Sequence, residues 1–170
     1  MSGARIVVKF DDRSLTGAVS RLAMIPNGVR RNIGIALSET ARARFDTGTD
    51  PEGNAWHALN PAYAAIKRSG GGILVASHAL SRIVSQVSGN DIYVGSNRIY
   101  AAVHQFGAVI RPVRAKALMF RMGGVGKRGG AGFVRAQSVT IPARPYLGFG
   151  PKDQRAVLDV LGVAIGRAIG

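Results

Sequence analysis

Residues Ile83–Val94 read IVSQVSGNDIYV. Two short runs rich in β-branched residues, Ile83–Val87 and Ile92–Val94, flank a Gly89-Asn90 pair, which is the pattern of a β-hairpin closed by a tight turn. Antiparallel sheet therefore stands in the middle of the chain, and the stretches on either side decide what covers it.

Downstream, Arg98–Phe106 has a helical pattern with Ile99, Val103 and Phe106 on one face, and Gly107 sits where a left-handed cap residue belongs. Leu118–Met122 and Phe133–Ile141 read as two strands. Between them the glycine-rich residues 123–132 have Val125 as their one apolar anchor and carry Lys127 and Arg128, so a long mobile hairpin tip is predicted. The last helix is predicted over 151–169, opened by Pro151. It carries Leu158, Leu161, Ile165 and Ile169, with Val157, Val160 and Ala164 beside them. That apolar face is wide, and it predicts packing on the sheet or on a neighbouring subunit.

Upstream, Ser77 is placed to cap a short helix carrying Leu80, Ile83 and Val84, and another short helix runs from Pro61 towards Ser69–Gly72. The loop from Asp50 to Pro61 is dense in Pro, Gly and Asn and contains the single tryptophan, Trp56. A longer helix starts near Arg30 and ends near Gly48; Ile33, Leu37, Ala41 and Phe45 recur every four residues along it. Ser14 caps a predicted helix to about Met24, and Ala4–Phe10 alternates as a half-buried strand. The fold class read from this order is α+β: a single domain over residues 1–170, one mainly antiparallel sheet with packed helices and a long glycine-rich hairpin.

Composition narrows the function classes. A hydrophobic fraction of 46% over 170 residues is enough for one core and excludes disorder throughout. The absence of cysteine removes disulfide frameworks, thiolate nucleophiles and Cys-ligated zinc together. No apolar run reaches the roughly 18 residues of a membrane-spanning helix, and Met1–Asp12 lacks a signal-peptide pattern, so synthesis in the cytoplasm with no membrane partner is expected. The net charge of +14 comes from 23 basic and 9 acidic side chains, unevenly placed. Between Ile92 and Lys152 there are ten Lys or Arg, among them Arg111, Arg114, Lys116, Lys127, Arg128 and Arg144, and no Asp or Glu. A one-signed segment repels itself, which points to an anionic partner: nucleic acid first, an acidic protein surface second, with a merely basic exterior as the bland reading.

Signatures of catalysis are incomplete. Gly123–Lys127 (GGVGK) resembles part of a phosphate loop, but Arg121 stands where its first glycine is needed and no Ser or Thr follows the lysine. Asp46, Asp50 and Glu52 do not have calcium-loop spacing, and the turn-holding role suits Asp50 better. His57, His78 and His104 each lack a second ligand at metal spacing, and no nucleophile elbow occurs. The expectation is a protein that is not an enzyme, with no catalytic residue, metal or cofactor.

Three stretches taken in order carry a family resemblance. The first is Arg44-Phe45 followed by Asp50-Pro51-Glu52-Gly53-Asn54-Ala55-Trp56 and Leu59. The second is Val94-Gly95-Ser96-Asn97 followed by Tyr100–Gly107 (YAAVHQFG), and the third is Ile141–Gly148 (IPARPYLG) before a C-terminal helix. From about Ala41 to the end, the chain resembles the phage virion morphogenesis family of tail-completion proteins found in Mu-like and related tailed phages. It departs mildly at Ser77-His78, where Ser-Gly is expected, and at Tyr146, where Phe is common.

The resemblance implies a structural virion protein of the head–tail neck: a homo-oligomeric ring, sixfold by preference, that finishes the tail and permits joining to a filled head. Its implied partners are further copies of itself, the tail tube or tail-terminator protein, the head connector or head-closure protein, and genomic DNA in the channel. A tail-terminator or head-closure ring is the alternative within that class, and a stand-alone basic DNA-binding protein is the alternative outside it.

The same motifs have direct physical readings. Trp56 is an apolar anchor for its loop, either within the chain or against another subunit. Tyr100 and His104 share one helix face, which is either the polar edge of a core helix or a binding face. Pro142 and Pro145 stiffen an extended segment that cannot be an interior strand. Arg144, held between them with little entropy to lose, is the best single candidate for contact with a neighbour or with DNA; a solvated arginine is the other reading.

Overall fold

The computed structural model describes residues 5–8, 25–67, 72–126 and 130–169. The first long helix, α1 (Asn27–Thr47), follows its apolar stripe: Ile33, Leu37, Ala41 and Phe45 are all buried. It stops at Gly48, whose φ of 67° is left-handed and whose N–H donates to the Arg44 carbonyl, a conformation that glycine adopts without a Cβ clash. The helix predicted over Ser14–Met24 lies outside the described residues.

On one side α1 packs on a three-stranded antiparallel sheet ordered β1-β3-β2, built from β1 (Arg5–Val8), β2 (Val84–Ser88) and β3 (Asp91–Gly95). β2 and β3 are the hairpin expected from Ile83–Val94, with Gly89 at φ 58° in its turn. Gly34 lets helix and sheet meet closely, since a Cβ there would sit 3.0 Å from Cβ of Ser85 and 3.2 Å from Cγ2 of Ile92. On its other side α1 meets the last helix, α4 (Pro151–Ile169), through Val157, which is buried, and through Val160 and Leu161, which pack on the same core. The wide face of α4 thus packs on a helix rather than on the sheet, and Leu158 (66% exposed) and Ile165 (52%) point outward.

The remaining strands correct the expectation of one sheet. Phe133–Ile141 is broken at Gln137-Ser138 into β6 (Gly132–Ala136) and β7 (Val139–Ile141). Strand β6 pairs antiparallel with β5 (Leu118–Met122), while β7 pairs with β4 (Ala108–Ile110), a strand the pattern did not disclose. Three short antiparallel sheets result among the described residues.

Other local readings also move. Pro61 opens a helix of one turn, α2 (Pro61–Ala64), capped by Asn60. The helix predicted from Ser77 is a series of bends, with Leu74 and His78 at positive φ (63° and 54°). The helix α3 (Ala101–Phe106) buries Ala101 and Gln105, so its inner face is opposite to the Ile99–Phe106 stripe; Ile99 is 76% and Phe106 67% exposed. Gly107 has φ 74° with ψ 165°, a positive-φ conformation that is not the left-handed helical one. Glycine is required there twice over, by the positive φ and because a Cβ would meet the Ala143 N at 2.9 Å and the Ile141 O at 3.0 Å. Among the described residues no helix is long and apolar enough to cross a membrane.

Candidate functional site: a clasped segment and a basic arm

The segment from Pro142 to Gly150 links β7 to α4 and contributes no strand, as its two prolines dictate. Its backbone groups must therefore find partners elsewhere. Gln105 of α3 supplies three: its Oε1 accepts from the N–H of Tyr146 (3.1 Å) and Leu147 (3.0 Å), and its Nε2 donates to the Leu147 carbonyl (2.8 Å). Arg44 of α1 donates to the Tyr146 carbonyl at 2.9 Å. The Trp56 indole donates to the Pro145 carbonyl at 2.7 Å, and the Arg144 N–H donates to the His104 carbonyl at 2.8 Å.

Apolar packing and charge close the same assembly. The Tyr146 side chain is fully buried, its ring centroid 5.0 Å from that of Phe45, and Phe45 meets Trp56 edge-on at 5.6 Å. Behind them the buried Arg44 guanidinium pairs with the buried Asp153 carboxylate in the first turn of α4. That carboxylate also accepts from the Gly150 N–H at 2.8 Å and from the Thr40 hydroxyl. A carboxylate at this position caps the orphan donors of the helix start. Pro51, from the turn that Asp50 holds through the Asn54 N–H (2.8 Å) and side-chain amide (3.0 Å), lies against Gly148 and Gly150. A Cβ at either glycine would collide with it. Residues from each of the three resembling stretches thus meet in space as one clasp.

The candidate residues fall into two groups. Trp56 and Arg144 belong to the clasp. Trp56 is 6% exposed within its own chain, and Arg144 is 5% exposed, with Nε and a terminal nitrogen donating to the carbonyls of His57 (2.8 Å) and Ala58 (3.0 Å). The reading of Arg144 as an outward contact or a solvated side chain is corrected: the side chain turns inward, where it ties the Trp56 loop to the α4 approach. Tyr100 and His104 do share a face, their rings edge-on at 6.0 Å, with Tyr100 40% exposed. Burial and then the Arg144 charge hold the His104 pKa below its ordinary value, and its Nδ1 is buried with no hydrogen-bond partner among the described residues. Burial, helped by Tyr100, pushes the Tyr146 hydroxyl well above its usual range.

The second group is exposed and cationic. Arg111, Arg114 and Lys116 lie in the connection between β4 and β5, and Arg121 and Arg135 stand on the outer face of the β5–β6 ribbon. Lys127 and Arg128 lie outside the described residues. Sequence reasoning quoted Arg44 and Gln105 without giving them a role and passed over Asp153. A signal existed: Asp153 is the first acid after the base-only stretch and stands in the first turn of a helix. Chemically the clasp spends its polar groups on its own backbone, and among the described residues no group of three or more His, Asp or Glu is placed to hold a metal.

The chain is 28% identical over 150 residues to the Mu-like prophage FluMu G protein 2 of Haemophilus influenzae, covering 86% of each chain. It is 25% identical over 171 aligned positions to the putative capsid assembly protein G of Escherichia phage Mu, covering 97% of this chain and 91% of that one. No solved structure matches. The sequence profile of the phage virion morphogenesis family matches residues 11–165, spanning every element of the clasp, and the chain belongs to that family.

Proposed function

We propose that the chain is a non-enzymatic structural subunit of the phage neck, a tail-completion protein that assembles with copies of itself into a ring, sixfold by preference, and permits stable joining of tail to filled head. Family membership gives the role in virion morphogenesis, and the capsid-assembly description of the phage Mu relative agrees with a part in building the particle. The observation that carries the finer reading is the division of the fold. One buried clasp fixes the Trp56 loop, α1, α3 and α4 rigidly together, while a base-only arm with exposed apolar residues stands outside it. Such a subunit presents a surface of fixed shape and sign, which is what a geometric adaptor between two rings requires. Its neighbours in this reading are the tail tube or tail terminator on one side, the head connector or head-closure protein on the other, and DNA in the channel.

The test is a nonsense mutation in the phage. Filled heads and finished-length tails should accumulate unjoined when counted by electron microscopy, and purified protein should restore joining in vitro. Normal numbers of infectious virions without the protein would remove the proposal. Tight, salt-sensitive duplex binding by a free monomer would instead favour the stand-alone DNA-binding reading, which the charge of +14 supports.

A further inference from the structure

The β5–β6 ribbon is a two-stranded sheet that pairs with no other strand among the described residues. Its loop end is held where the Gly123 N–H, just past β5, donates to the carbonyl of Ala62 in α2 at 2.7 Å. Both strands alternate. Leu118, Phe120, Met122, Val134 and Ala136 are half-buried on the inner face. On the outer face the register sets Met119 opposite Arg135 and Arg121 opposite Phe133. All four are exposed, Met119 by 62% and Phe133 by 70%. A two-stranded ribbon is marginal in water unless something covers it.

The composition of that face discriminates between covers. Phosphates reward cations and have no use for Phe133 and Met119. Interface cores between proteins are enriched in aromatic residues, Met and Arg and depleted in Lys, Asp and Glu. The outer face consists of Met, Phe and two Arg. A protein that covers it must bring carboxylates.

This chain has such a surface elsewhere. Phe45–Ile66 holds Asp46, Asp50 and Glu52 and no Lys or Arg, the reverse of the Ile92–Lys152 stretch. Asp46 and Glu52 are exposed. Within one chain no ion pair among the described residues joins the ribbon to these carboxylates: the pairs there are Arg44–Asp153 and Glu39–Arg42. Two complementary surfaces on different parts of one subunit form a heterologous contact, the kind that generates rings.

We propose that the outer face of the ribbon (Met119, Arg121, Phe133, Arg135) docks on the acidic Asp46–Glu52 surface of a second copy, joining subunits head to tail. The inference rests on the ring reading above and names its contact. Two variants of the full chain test it, Arg121→Glu with Arg135→Glu, and Asp46→Arg with Glu52→Arg, each sized by light scattering and native mass spectrometry at low and physiological salt. Each variant alone has two like-signed surfaces, so its self-association should weaken by roughly tenfold or more. Mixed one to one, the variants become complementary at both contacts, and an alternating ring of wild-type size should return. That recovery also shows that neither variant is misfolded.

Variants that assemble alone as well as wild type would overturn this contact and leave the ring reading standing. A wild-type chain that stays monomeric at every soluble concentration would remove both. Intact assembly with loss of duplex binding by the Arg121→Glu, Arg135→Glu variant would make the ribbon a nucleic-acid face and overturn the proposal as well.

Discussion

The clasp and the arm are built from opposite materials. In the clasp, Arg44, Gln105, Arg144 and Asp153 are buried polar residues, and each is consumed by a defined partner inside the chain. In the arm, Arg111, Arg114, Lys116, Arg121 and Arg135 are exposed, with no ion pair among the described residues. The difference separates what makes the fold from what the fold presents. Buried charges have a large effect when unpaired, because the partner left behind keeps its desolvation cost. Exposed arginines contribute little to stability and act on association, through fields that salt screens.

That contrast breaks most visibly if the clasp is opened. Arg44→Ala should cost about 3–5 kcal/mol, since Asp153 would be left charged and buried. Trp56→Ala should fall in a similar range of about 3–5 kcal/mol through the lost aromatic packing. Thermal or urea unfolding reads both, and Arg135→Ala run beside them should stay within about 0.5 kcal/mol of wild type. If Arg135→Ala destabilises as much as Arg44→Ala, the division is wrong. A smaller loss is expected from Arg144→Lys, about 1–2 kcal/mol. One ammonium cannot reproduce the fork that reaches both the His57 and Ala58 carbonyls. Unchanged unfolding in that variant would return Arg144 to the surface.

His104 sharpens the comparison by pH. Burial and the Arg144 charge favour its neutral form in the fold, so below the ordinary histidine value of 6.5 the unfolded chain binds more protons than the folded one. The stability that depends on neutral His104 is therefore present above that value and is lost as pH falls through it. Melting temperatures at about pH 7.5 and pH 5.5 should differ for wild type. The difference should shrink in His104→Gln, whereas variants of the arm should leave it unchanged.

What the sequence disclosed depended on how local the cause was. Helix α1, its end at Gly48 and the β2–β3 hairpin follow from spacing and turn chemistry alone. The inner face of α3 was misread because Gln105 faces in, and a polar residue does so only when backbone from forty positions away needs it. The division of Phe133–Ile141 into β6 and β7 was hidden for a similar reason, since two different partners capture its halves. Of the candidate site, Trp56 was legible as an anchor and the arm as a one-signed surface. Arg144 was not, because the same two prolines that restrict it can aim it either way.

The smallest expected effect bears on why motif positions are what they are. His78 adopts φ 54°, in the left-handed region where a Cβ crowds the backbone, and it stands where the resemblance leads one to expect glycine. Its side chain is exposed, so replacing it costs no buried packing. His78→Gly relieves about 1–2 kcal/mol of backbone strain and gives back about 0.5–1 kcal/mol through the freer unfolded chain. A net gain of about 0.5 kcal/mol is expected, which raises the melting temperature by about 1–2 °C for a domain of this size. Leu74, at φ 63°, has the same backbone problem with the opposite surroundings, because it is half-buried and packs on the core cluster. Leu74→Gly should therefore destabilise: the lost apolar burial, about 1.5–3 kcal/mol for a fully buried side chain and a fraction of that here, adds to the unfolded-chain term and outweighs the relief. Opposite signs from two substitutions to the same residue at matching φ would show that glycine at position 78 answers a backbone requirement. If His78→Gly instead lowers the melting temperature, the imidazole makes a stabilising contact, and position 78 belongs with the packed residues of the clasp.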